Sequence, residues 1–239
     1  MLTKSLAIVL SSLKYRDSDL IVKCYTLQRG TISYLIRGIL KPSKRKLKPA
    51  LFQPLAQLSL DENYNPKASL HTIKEVKVEY HYDTLYTNVI KSSIALFLSE
   101  VLTTVLREEE PQEELFHFLV TSMQVLDQEE KVANFHLLFL VKLTKYLGIY
   151  PDERNRDLPY FNLKDSKFES SVNDKYSIEG KNIELLKTFL GTNFDALNTL
   201  RLSSKERQMF LNALLVYFEL HLAGFKRPKS LDVLNSLFN

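Results

Sequence analysis

Only one cysteine, Cys24, occurs in the 239 residues, so an internal disulfide framework is excluded and the chain fits a reducing cytoplasm. No apolar run approaches the roughly 20 residues that span a bilayer. The amino-terminal stretch MLTKSLAIVLSSLKYRD is apolar at first, but it breaks at Ser11 and Ser12 and lacks a small-residue cleavage site, which predicts a strand and not a leader. There is no Gly-rich phosphate loop, no nucleophile elbow and no paired His/Cys arrangement. The five histidines (His71, His81, His117, His136, His221) are scattered without ligand spacing, so no metal site is expected. Glu108, Glu109 and Glu110 read as solvated acids at a helix end. Together these absences argue against an enzyme such as a nuclease. One absence is positive in meaning: no acid interrupts the span from Cys24 to Leu60.

That span holds the basic segment of the chain. Lys41, Lys44, Arg45, Lys46 and Lys48 put five cations in eight residues, bracketed by Pro42 and Pro49. Residues 1–80 carry 14 Lys and Arg against 6 Asp and Glu, whereas the remainder carries 18 against 22. The net charge of +4 therefore conceals a basic front and a mildly acidic rear, which suggests that polyanion contact belongs mostly to the front. A solvated basic surface without a partner is the bland alternative. Clustering in one loop argues against it.

The front is strand-like throughout. Leu6, Ile8 and Leu10 alternate within Lys4–Tyr15, Arg16-Asp17-Ser18-Asp19 makes a polar turn, and Leu20, Val22 and Cys24 share one face of the next strand. Gly30 supplies positive φ in the connection to a third strand, Thr31–Ile39, where Ile32, Tyr34 and Ile36 share a face. Leu55–Leu60 and Leu70–Tyr82 supply two more strands around an Asn63–Pro66 turn. Five short strands with a long third-to-fourth connection predict a small Greek-key barrel of the OB type. Such barrels pair a cationic groove with aromatic platforms for bases. Tyr25, Tyr34, Phe52 and Tyr64 are the candidates, although an aromatic in a barrel is more often core than platform.

From Asp83 the periodicity becomes helical. Val89–Leu106 and Gln112–Leu126 are amphipathic, and Asp127 with Glu130 has the capping-box spacing that predicts a third helix to Tyr146 or Leu147, stopped by Gly148. Residues 149–181 read as an irregular insert with one hairpin. Helix returns at Asn182–Leu190, and Ser203 with Glu206 predicts a cap for a helix through Leu222, apolar almost all round and so expected at the centre of a bundle. Gly224 ends it, Lys226, Arg227 and Lys229 form a second basic patch, and Ser230 precedes a last short helix. The fold class is thus α+β: an OB-fold barrel over 1–80, then an α-helical domain over 81–239 interrupted by the insert.

In order, these features resemble the RecO family of bacterial recombination mediators. The resemblance is carried by AIVLSSLKYRDSDLIVKCYTLQRGTISYLIRGILKPSK, by LFQPLAQLSL (51–60), by YLGIYPD (146–152) at the entry to the insert, and by YFELHLAGFKRPKSLDVL (217–234). It implies a protein without enzymatic turnover that binds single- and double-stranded DNA, anneals complementary strands, and acts with RecR and single-strand-binding protein so that RecA is loaded. The implied DNA contacts are Arg37, Lys41, Lys44, Arg45, Lys46 and Lys48, with Lys226, Arg227 and Lys229 as a second group. Many members hold structural zinc on four cysteines of the insert. Residues 149–181 here contain neither Cys nor His, so no zinc is expected, and Tyr160, Phe161 and Phe168 are expected to anchor the insert instead. The alternative function is a protein-interaction adaptor whose helical domain binds an acidic partner tail through a groove rimmed by Lys226–Lys229.

Overall fold

The alternating pattern of the front becomes five strands in the computed structural model, which describes residues 2–41, 47–106 and 111–238. They are β1 (Leu2–Tyr15), β2 (Asp19–Thr26), β3 (Gly30–Ile36), β4 (Gln57–Asn63) and β5 (Thr72–Val78). Their order is β3-β2-β1-β4-β5, antiparallel throughout. β1 is long because it serves two partners in turn: Leu2–Ile8 pair with β4, and Ala7–Tyr15 with β2 across a bulge between Val9 and Ser11. A parallel bridge between Tyr34 and His71 joins β3 to the entry of β5. There the Leu35 and His71 amides donate to the carbonyls of His71 and Ser33, each at 2.9 Å. That bridge closes the sheet into the expected OB-type barrel. Gly30 has φ +63°, as its turn requires.

One face of the strands fills the barrel: Ala7, Val9, Leu20, Val22, Cys24, Tyr34, Ile36, Leu58 and Leu60 are buried together, with Phe52 of a short 3-10 turn (Pro49–Phe52) among them. Each large apolar side chain so enclosed contributes about 1.5–3 kcal/mol. The opposite face of β1 is buried too. Helix α1 (Val89–Val105) packs on β1, and the Thr103 hydroxyl donates to the Leu10 carbonyl at 3.1 Å. This explains why Ala7, Ile8, Val9 and Leu10 are all buried in an otherwise alternating strand.

Two compact units result, one of Met1–Gln128 with Pro228–Ser230, the other of Glu129–Arg227 with Leu231–Asn239. The first contains the barrel, α1 and α2 (Glu113–Gln128). Asp127 departs from the sequence expectation here. It does not cap a third helix but lies in the last turn of α2, where its carboxylate accepts the backbone N–H groups of Asp83, Thr84 and Leu85 at 2.8–3.0 Å. Burial alone would push this carboxyl up; the amides of Thr84, Asp83 and Leu85 outweigh it and hold it below the ordinary value. Lys91, also buried, donates to the Asp127 carbonyl at 2.6 Å and to the Thr84 hydroxyl at 2.7 Å.

In the second unit α3 starts only at Phe135 and runs to Tyr146; its N-cap, Asn134, makes no side-chain cap bond. The remaining helices are α4 (Lys181–Leu190), α5 (Ser204–His221) and α6 (Leu231–Leu237). The predicted capping box of Ser203 and Glu206 is present. The most enclosed helix is α3, buried from Phe135 through Thr144 except at Lys142; α5 instead leaves Met209 exposed. The insert is more regular than one hairpin: β6 (Tyr160–Asn162), β7 (Lys167–Glu169) and β8 (Ser177–Ile178) form a sheet ordered β7-β6-β8. Phe161 and Phe168 meet edge-on at 4.9 Å and are buried; Tyr160 is half-buried. The Tyr217 hydroxyl donates to the Ile149 carbonyl at 2.7 Å and lies 2.5 Å from the Ser166 hydroxyl, tying α5 to the insert.

Candidate nucleic-acid interface

The two ends of the barrel use their charges differently. At the end formed by the start of β1, the β2–β3 turn and the close of β4, Glu62 is fully buried. It accepts from the Ser5 hydroxyl at 2.5 Å and the Tyr34 hydroxyl at 2.6 Å, and it pairs with Arg29. Arg29 also donates to Ser5 at 3.0 Å and lies 4.3 Å from the centroid of Tyr64, whose ring stacks on His71 at 4.8 Å. Burial, then the bond to Glu62, pushes the Tyr34 phenol up; burial, then the neighbouring carboxylate, does the same to the Cys24 thiol. Both stay protonated, and Cys24 is no nucleophile. His71 is held below its ordinary value by burial and by Arg29, against the pull of Glu62. This end is sealed.

The other end is set by the β1–β2 hairpin and the close of β3. The Asp19 carboxylate accepts the Gly38 amide at 2.7 Å, and the Ser18 carbonyl accepts the Leu40 amide at 2.9 Å. Two bonds thus pin the Arg37–Lys41 turn to the hairpin. Lys14 and Arg16 on the hairpin and Arg37 and Lys41 on the turn are all exposed. Among the described residues no acid forms an ion pair with Lys14, Arg16 or Lys41. Four cations gathered beside two acids, Asp17 and the hydrogen-bonded Asp19, leave a net positive charge at this end, suited to a polyanion.

The expected contacts fall unevenly. Arg37 and Lys41 share this end, and Lys48 is exposed just before the 3-10 turn. Lys44, Arg45 and Lys46 lie outside the described residues. Lys226 and Arg227 belong to the second unit and Lys229 to the first. Arg227 is engaged internally, donating to the Glu219 carboxylate at 2.7 Å and to Asn212 at 3.0 Å. Of the aromatics, Tyr25, Tyr34 and Phe52 are core, and half-buried Tyr64 is held between Arg29 and His71. Lys14 and Arg16 were not among the expected contacts. Their signal was the KYR that runs into the polar turn, whose proximity to Arg37 depends on long-range pairing.

The chain was then compared with known proteins. A family model described as Recombination protein O N terminal matches residues 1–82, and one described as Recombination protein O C terminal matches residues 86–232. This chain belongs to the RecO family. The DNA repair protein RecO of Christiangramia forsetii is 48% identical over 238 residues, and that of Flavobacterium psychrophilum 41% over 239, each across the whole of both chains. A more distant RecO, from Phocaeicola vulgatus, is 35% identical over 243 residues, again at full length. The chain is therefore a DNA repair and recombination protein with an OB-fold front and a helical rear. No helix among the described residues is long and apolar enough to cross a membrane.

The zinc common in RecO proteins does not fit this chain. Its insert offers no thiolate or imidazole, and no group of three or more His, Cys, Asp or Glu among the described residues could hold a metal ion. The insert does contain the Phe161–Phe168 contact and a three-stranded sheet.

Proposed function

We propose that this RecO chain is a DNA-binding recombination mediator that engages single and double strands and brings complementary strands together. In this reading it acts with RecR and single-strand-binding protein to let RecA load. It works in the cytoplasm and performs no covalent step: cations of the open barrel end screen backbone repulsion, and base pairing drives annealing. One observation carries the reading. Lys14, Arg16, Arg37 and Lys41 are gathered by the Asp19–Gly38 and Ser18–Leu40 bonds, in a chain whose full-length relatives are DNA repair proteins. Lys44, Arg45, Lys46 and Lys48 extend the same basic stretch in sequence.

Replacing Lys44, Arg45 and Lys46 together by Glu is expected to weaken binding of single and double strands at least about tenfold at moderate salt, with melting nearly unchanged. Unaltered affinity would contradict the assignment of the loop. The adaptor reading fits less well, because Glu219 and Asn212 already occupy the Arg227 guanidinium.

A further inference from the structure

The β1–β2 hairpin tip has features that phosphate neutralisation does not use. Beyond Val9, β1 leaves β4: Ser11–Tyr15 pair with β2 alone, so among the described strands this segment has a partner on one edge only. Leu13 and Tyr15 stand on one face of it, two residues apart, and are 64% and 37% exposed. Leu13 is therefore mostly open to solvent, whereas Tyr15 is largely covered and keeps only part of its ring exposed.

Their spacing has a chemical match. Successive same-face positions on a strand lie about 6.8 Å apart, roughly twice the 3.4 Å rise per base of a nucleic-acid strand. One cation lies beside the pair: the Arg16 guanidinium sits 5.1 Å from the Tyr15 ring centroid, while Lys14, between them in sequence, belongs to the opposite face of the strand. The Arg37–Lys41 turn is bonded to the same hairpin at Asp19 and Ser18. Exposed Leu40 adds apolar surface on that turn. An aromatic ring with a cation beside it stacks bases that are not already stacked in a duplex.

We propose that the hairpin tip is a clasp for single-stranded DNA, in which Leu13 and Tyr15 hold one unpaired base while Arg16 meets an adjoining phosphate. The proposal rests on the DNA-binding reading above and deepens it: the cations serve any strand, whereas the apolar pair distinguishes unpaired from paired DNA. The clasp holds a base exposed at the open barrel end, where a complementary strand can reach it.

The test compares a short oligothymidylate with a mixed-sequence duplex of equal length, by fluorescence anisotropy on the full chain. Leu13→Ser with Tyr15→Ala is expected to lower single-strand affinity about 5- to 100-fold and to leave duplex affinity and melting temperature close to wild type. The chain contains no tryptophan, so Tyr15→Trp introduces a single indole. Its emission is expected to be quenched by the oligothymidylate and not by the duplex. Single-strand affinity unchanged in the double variant, or an unquenched indole, overturns the clasp and leaves the apolar pair to a protein partner. Equal losses on both DNAs overturn it as well. If the wild type binds neither DNA, the DNA-binding reading falls and the clasp with it. If duplex binding persists with its salt dependence while the clasp variant holds single strands normally, only the clasp falls.

Discussion

Arg29 and Arg16 sit at opposite ends of the same strands, each beside a tyrosine, and their surroundings give them opposite roles. Arg29 lies against Tyr64 and is drawn inward by Glu62, with Ser5 and Tyr34 completing that carboxylate's hydrogen bonds. Arg16 lies against Tyr15 at the hairpin tip, with no carboxylate paired to it among the described residues. The strongly basic count of the first 80 residues therefore mixes two kinds of charge. One closes the barrel. The other faces solvent at the end where the Arg37–Lys41 turn is pinned. A cation's partner, and not its presence, decides which it is.

The largest expected effect lies at the sealed end. Glu62→Ala strands Arg29 and the Tyr34 and Ser5 hydroxyls and is expected to cost about 3–5 kcal/mol of stability, read by urea unfolding. The DNA affinity of the folded fraction should be unchanged; loss of affinity with stability intact would reverse the roles assigned to the two ends. At the open end the pattern should invert. Replacing Lys14, Arg16 and Lys41 together by Glu is expected to lower duplex affinity roughly 30-fold or more near 0.1 M salt, while thermal melting shifts little. A smaller effect is expected away from both ends. Asp127→Ala leaves the Asp83, Thr84 and Leu85 amides without their acceptor, at about 2–3 kcal/mol.

The pH dependence of that third site follows from the depressed Asp127 carboxyl. A group whose folded value is lowered contributes stability that is complete above its unfolded value of about 3.9 and is lost as pH falls through the folded value. Wild-type stability should therefore fall more steeply than that of Asp127→Asn when acid unfolding is followed below about pH 4. Arg227→Ala should show the smallest effect, because its pair with Glu219 is more than a third exposed and worth at most about 1 kcal/mol. Its DNA affinity should stay within about twofold of wild type; a tenfold loss would support a DNA contact at the second basic patch.

What the sequence made legible was local. Alternation located the first three barrel strands, Gly30 announced its left-handed turn, and the Ser203–Glu206 spacing found its capping box, since each pattern acts within a few residues. The Asp127–Glu130 spacing looked the same and misled. Asp127 instead accepts amides more than 40 residues upstream, and nothing adjacent in the chain signals that bond. Arg29 and Glu62 likewise meet across 33 residues, so Arg29 was indistinguishable from its basic neighbours. Tyr34 was ambiguous between platform and core until its hydroxyl found Glu62 inside the barrel. The open end was half-visible: Arg37 and Lys41 followed from the basic loop, but Lys14, Tyr15 and Arg16 join them through strand pairing and the Ser18–Leu40 and Asp19–Gly38 bonds.

The most direct measurement of the contrast between the ends is duplex affinity against salt concentration for wild type and for the Lys14→Glu, Arg16→Glu, Lys41→Glu variant. Each lost phosphate contact should flatten the plot of log K against log salt by about 0.9, so the variant's slope should be shallower by roughly two to three. An identical slope in the two proteins would show that the open end does not meet the DNA backbone.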